Sequence, residues 1–148
     1  MGVIFTFKEK RRQKQMIFEK RALRELSLES LRASISRFLK EQPIKNRSIE
    51  SIMEDYFLES AIESYLLGAR YSKFSYYGEQ VDAIRNRSLE EEKHLVNHLY
   101  HYFYFAGGLE DAANKQEVIY EKCKGFVETW WREGFHKGER RYKLRLIR

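Results

Sequence analysis

SIESIMEDYFLESAIESYLLGARY, residues 48–71, decides the fold. Ser48 is suited to cap a helix that runs through Ile52, Phe57, Ile62 and Leu66 to about Tyr71. At 100° per residue, Met53, Phe57, Ser60, Ala61, Ser64 and Gly68 share one face, while Leu58, Ile62, Tyr65, Leu66 and Ala69 cover the opposite one. Only a narrow stripe of Glu59, Glu63 and Arg70 is left for solvent. A helix apolar on two sides needs neighbours on both, so it belongs at the centre of an all-α bundle. The small residues of its first face would let one neighbour approach closely.

The flanking segments supply those neighbours. Residues 8–26 read as a basic helix with Met16, Leu23 and Leu26 near the helical period. Ser27 can cap a second helix to about Glu41, with Leu28, Leu31, Ile35 and Phe38 at steps of three or four. Residues 72–87 read as a helix end plus connector. Ser88 and Glu91 form a capping-box pattern that opens a helix to Ala106, stopped by Gly107-Gly108. Asn114 with Glu117 repeats that pattern before an apolar seam of Ile119, Cys123, Phe126 and Trp130. Tyr142, Leu144 and Leu146 alternate with basic residues, as Val3, Phe5 and Phe7 alternate near the start. This fits short strands better than helix, and the two ends are candidates to pair. The expected architecture is one domain over residues 1–148, all-α with about five helices, with that terminal β pair as an addition.

Composition narrows the function classes. The chain has 148 residues, 43% hydrophobic and 15% aromatic, which argues against general disorder. No apolar run approaches the roughly 18 residues of a transmembrane helix. The first residues lack the order of a secretory signal, and a lone cysteine cannot form an intrachain disulfide, so a cytoplasmic location is expected. Net charge is +6, concentrated at the ends. Residues 1–24 carry eight basic against two acidic residues, a net +6, and residues 132–148 carry seven against two, a net +5. The segment between them is therefore acidic. Basic ends suit an anionic partner, whether nucleic acid, lipid headgroups or an acidic protein face. The expected anion-binding residues are Lys8, Arg11, Arg12, Lys14, Arg140, Arg141, Lys143 and Arg145.

Two stretches carry a family resemblance: Ala61-Ile62-Glu63-Ser64-Tyr65-Leu66-Leu67-Gly68-Ala69-Arg70 with Phe74-Ser75-Tyr76-Tyr77-Gly78-Glu79, and Trp130-Trp131 with Gly134-Phe135 and Lys143-Leu144-Arg145. On these the chain resembles a small uncharacterised Bacillus family known as YbaK, which is distinct from the tRNA-editing deacylase sharing that name. The resemblance implies a bacterial cytosolic protein and brings no established activity, cofactor or catalytic residue.

The residues themselves leave two function classes open. In the first, the chain is a non-enzymatic binding module, with a protein partner, a second copy of itself, or a nucleic acid or other anionic surface, and no cofactor. In the second it is a bundle that binds a divalent metal or acts as an enzyme. There, Glu91, His94, His98 and His101 lie within an arc of about 80° on one helix. Glu91-x-x-His94 has the spacing of di-iron bundles, and Glu59 with Glu63 on the central helix is the nearest substitute for the missing second motif. No nucleophile elbow or glycine-rich phosphate loop accompanies them.

Overall fold

The computed structural model describes residues 6–42, 47–106 and 116–147. Its helices are α1 (Phe7–Arg24), α2 (Leu28–Lys40), α3 (Glu50–Tyr71), α4 (Lys73–Tyr76), α5 (Val81–Arg87), α6 (Leu89–Ala106) and α7 (Gln116–Ile147). A 3-10 turn, Arg47–Ile49, leads into α3. The chain is all-α, and its five long helices are the five anticipated from the apolar periodicity. The connector expected over residues 72–87 holds the short helices α4 and α5.

Local chemistry sets several of the ends. Thr6 is extended and forms a capping box with Glu9: the Glu9 amide donates to the Thr6 hydroxyl and the Thr6 amide to the Glu9 carboxylate, both at 3.2 Å. The Ser30 amide donates to the Ser27 hydroxyl at 3.3 Å, as expected for the start of α2. Ser88 behaves differently. It closes α5, its hydroxyl donating back to the Arg85 carbonyl at 3.1 Å, while its own carbonyl accepts the first bond of α6 from the Glu92 amide at 2.9 Å. Ser48 lies in the 3-10 turn, and the residue preceding α3 is Ile49, which offers no side-chain cap. Asn114 and Gly107-Gly108 lie outside the described residues.

α3 occupies the centre, packed most extensively on α7 and then on α2, α6 and α1. Its first face meets a cluster of phenylalanines. Phe57 stands edge-on to Phe103 and Phe126 at ring separations of 5.3 and 5.2 Å, with Phe38 closing the group at 5.4 Å. Such edge-to-face contacts add to the area term in a core. Further along, Gly68 on α3 and Ser72 just after it lie against α7 around Trp131 and Gly138. A β-carbon at Gly68 would overlap the Trp131 carbonyl, one at Gly134 the Tyr65 carbonyl, and one at Gly138 the Ser72 side chain. The two backbones therefore touch, and this crossing carries Trp131, stacked on Phe135 at 5.2 Å, into a second apolar cluster with Leu67 and Ile84.

The terminal strand expectation is corrected. Tyr142 to Leu146 are the last turns of α7, and Phe7 begins α1, while Val3 to Phe5 lie outside the described residues. Alternation over five residues is too short to outweigh a helix already nucleated upstream, because each added residue costs little once a helix exists. The chain ends meet all the same, side by side as helices. Lys137 Nζ donates to the Glu25 carbonyl at 2.6 Å, and Arg141 pairs with the Glu25 carboxylate.

Candidate functional site

Where α1 lies against the last turns of α7, a cleft of about 460 Å³ opens. Lys14, Arg21 and Arg141 supply three cations to its lining, and Ile17, Phe18 and Tyr142 supply apolar wall. Helical spacing explains the α1 contribution: Lys14, Phe18 and Arg21 follow at steps of four and three. Arg141 is the most constrained of the cations. Its Nε donates to Glu25 Oε1 at 3.2 Å, its Nη2 lies 3.0 Å from the same oxygen, and its guanidinium carbon sits 5.6 Å from the Phe18 ring centre. The side chain is only 15% exposed. Its Nη1 is buried with no hydrogen-bond partner among the described residues, as is the Tyr65 hydroxyl. Tyr65 lies close enough to sense the same charges. Burial pushes its pKa up to about 12, with Glu25 and Glu133 adding to the rise and Arg141 opposing it. The hydroxyl therefore stays protonated, a donor without an acceptor.

Of the eight cations nominated from sequence, the structure brings Lys14 and Arg141 into this cleft. Arg21 was not nominated, although its position seven residues after Lys14 places it on the same face of α1. Lys8 and Arg12 fall about 120° and 160° around the helix from Lys14. Arg11 is exposed with its guanidinium 5.0 Å from the Phe7 ring centre. Arg140 is exposed, and Lys143 lies 3.8 Å from Glu139. The Arg145 side chain lies outside the described residues.

The metal candidates gather between α3 and α6. Tyr56, Glu59, Glu63, His94 and His98 line a cleft of about 290 Å³, continuous through Glu63, His94 and Leu95 with one of about 540 Å³ that reaches Glu19, Arg70 and Glu91. His94 and His98 are ring neighbours at 4.6 Å. Glu91 is otherwise engaged: it accepts from the Tyr71 hydroxyl at 2.6 Å and lies 3.8 Å from Arg70, which also bonds Glu19 at 3.2 Å. His101 Nδ1 lies 2.9 Å from the Asn97 carbonyl oxygen. Among the described residues no group of three His, Cys, Asp or Glu side chains converges as metal ligands. Added zinc or manganese is accordingly expected to leave the Tm unchanged in a thermal melt, because a ligand of the folded state must raise it. A rise that disappears when His94 and His98 are replaced together would contradict this. Cys123 is fully buried, and burial pushes its thiol up to about 12, far from thiolate chemistry at neutral pH.

Among the described residues no helix is long and apolar enough to cross a membrane. The family described as "Protein of unknown function (DUF2521)" matches residues 1–147. The chain is 33% identical over 146 residues to "Uncharacterized protein YbaK" of Bacillus subtilis (strain 168), covering 99% of each protein. No solved structure matches it.

Proposed function

The chain belongs to the DUF2521 family of proteins of unknown function, and from there we propose that it works as a binding module whose cleft between α1 and the end of α7 takes an anionic group. It acts as one domain in the cytoplasm, with Lys14 and Arg21 on one wall and Arg141 on the other. The observation that carries this reading is the convergence of Lys14, Arg21 and a tightly held Arg141 on one cleft. Glu25 and Phe18 hold one edge of the Arg141 guanidinium, and the buried Nη1 is left without a hydrogen bond. Three cations with no acidic residue among the described residues of the lining leave the cleft positive, which an anion would neutralise. A guanidinium fixed on one edge is also preorganised, because its planar fork loses little freedom on binding.

Inorganic pyrophosphate is a suitable probe, compact and multiply charged. It is expected to raise the Tm at low salt, by a margin that shrinks as salt is added. Lys14→Gln combined with Arg21→Gln removes two cations from exposed positions on α1 and is expected to abolish most of that rise while leaving the helical circular dichroism intact. Equal shifts in parent and variant would remove the cleft from consideration.

A further inference from the structure

Resting on that anion-binding reading, we propose that the partner is the surface of an anionic lipid bilayer, on which the molecule lies with α1 and the end of α7 against the headgroups. Ile17 and Leu144 are 52% and 61% exposed and free to enter an apolar layer. Each is surrounded by cations. On α1, Lys10, Lys14, Arg21 and Arg24 lie within an arc of about 80° that contains Ile17. On α7, Lys137, Arg140 and Arg141 lie within about 100° around Leu144. Arg141 and Tyr142 share the cleft with Lys14, Ile17 and Arg21, so the two helices contribute to one continuous face.

An aliphatic side chain ringed by Lys and Arg on a helix parallel to the surface is the pattern of interfacial binding. The cations meet lipid phosphates while the apolar group enters the acyl boundary. Lys and Arg stems reach further still, since their methylenes lie along the apolar layer with the charge held at headgroup level. A nucleic acid is less well served here. Backbone phosphates would satisfy the cations, but binding to exposed bases gains from exposed aromatic platforms; the aromatics here, Phe18 and Tyr142, are half-buried, Phe18 against the Arg141 guanidinium, and the exposed Ile17 and Leu144 are aliphatic. The lack of a membrane-crossing helix among the described residues is in keeping with a protein that lies on the bilayer.

The test uses the full chain, co-sedimented with vesicles of phosphatidylcholine alone or mixed with an equal part of phosphatidylglycerol. Binding is expected only to the mixed vesicles, and to weaken as salt is raised. Ile17→Ser with Leu144→Ser changes two exposed positions and is expected to lower vesicle affinity about tenfold or more, since each side chain loses its apolar transfer on insertion. Leu144→Ser alone, outside the cleft lining, is expected to lower vesicle affinity while keeping the full pyrophosphate response, whereas Lys14→Gln with Arg21→Gln loses both. Vesicle binding unchanged by the serine pair overturns the lipid proposal. So does an intact pyrophosphate response without vesicle binding, and in that case the cleft reading survives. Tight binding of single-stranded RNA unaffected by the serine pair, with vesicles ignored, assigns the face to nucleic acid instead. A dimer in light scattering that the serine pair dissociates, again with vesicles ignored, assigns it to a second copy. No pyrophosphate response in the parent protein overturns both readings.

Discussion

Replacing Gly134 with alanine is expected to cost about 3 kcal/mol or more in a urea denaturation, at the upper end of what overpacking a core usually costs. The sign is not obvious from local preference, because alanine in a helix interior is favoured over glycine by about 1 kcal/mol. Position decides the balance. A β-carbon at Gly134 overlaps the Tyr65 carbonyl, and backbone on a packed helix cannot rotate away as a side chain can. α3 and α7 would have to separate, and the Trp131 and Phe135 contacts beyond the crossing would loosen with them. Gly68→Ala meets the Trp131 carbonyl and is expected to behave alike. Gly125 provides the control within the same helix. It is exposed, nothing lies within 4 Å of its added β-carbon, and Gly125→Ala is expected to stabilise by about 0.5–1 kcal/mol. Similar unfolding midpoints for the Gly134 and Gly125 variants would show that the helices do not touch there.

Arg85→Ala is expected to cost about 3 kcal/mol at neutral pH, near the lower end for leaving a buried charge without its partner. Glu92 is almost wholly buried on α6, its side chain 6% exposed, with Arg85 Nε 3.4 Å from its carboxylate. Arg85 also reaches Glu128 at 2.9 Å, but Glu128 keeps a second partner, Arg132, at 3.1 Å. Burial raises the Glu92 pKa above the ordinary carboxylate value, Arg85 opposes that rise, and Glu128 adds to it. Between the ordinary and the raised value, the folded state holds a proton that the unfolded chain releases. The associated stability is fully present below the ordinary carboxylate pKa and is lost as pH rises through the raised value. Without Arg85 the opposing attraction is gone, so the loss extends to higher pH and the variant's penalty is smallest in acid. Adding Glu92→Gln removes the charge and is expected to restore most of the stability at neutral pH. Denaturation across a pH series checks this. A penalty independent of pH, unrelieved by the second substitution, would mean that the cost is packing alone.

Much of the fold is legible in particular residues. Two apolar faces on residues 48–71 place that helix at the centre, and its small residues anticipate the close neighbour that α7 proves to be. The choice of Ser27 as a cap holds because the bond spans three residues. The misread segments are those where two local patterns compete. Ser88 carries the capping-box spacing, yet it also follows a helical turn whose last carbonyls need donors, and its hydroxyl turns to Arg85. Tyr142, Leu144 and Leu146 fit a strand as a short alternation, yet they continue a 32-residue helix.

The all-α class, the five long helices and the accumulation of positive charge at both ends are readable in the linear chain, since periodicity, capping and composition are properties of neighbouring residues. Which cations meet depends on how the helices pack. Arg21 stands in the cleft while Lys8 and Arg12 point around α1, because the direction from which α7 approaches selects one face of a helix that is basic on nearly every side. The same holds for the histidine strip. Its arc on α6 is visible from spacing, but Glu91 is drawn to Tyr71 and Arg70 from α3, residues twenty or more positions away. Such pairings depend on the relative placement of helices. That placement is set by the volumes that fit between them, above all the missing side chains of Gly68, Gly134 and Gly138, and no stretch of sequence read alone contains it.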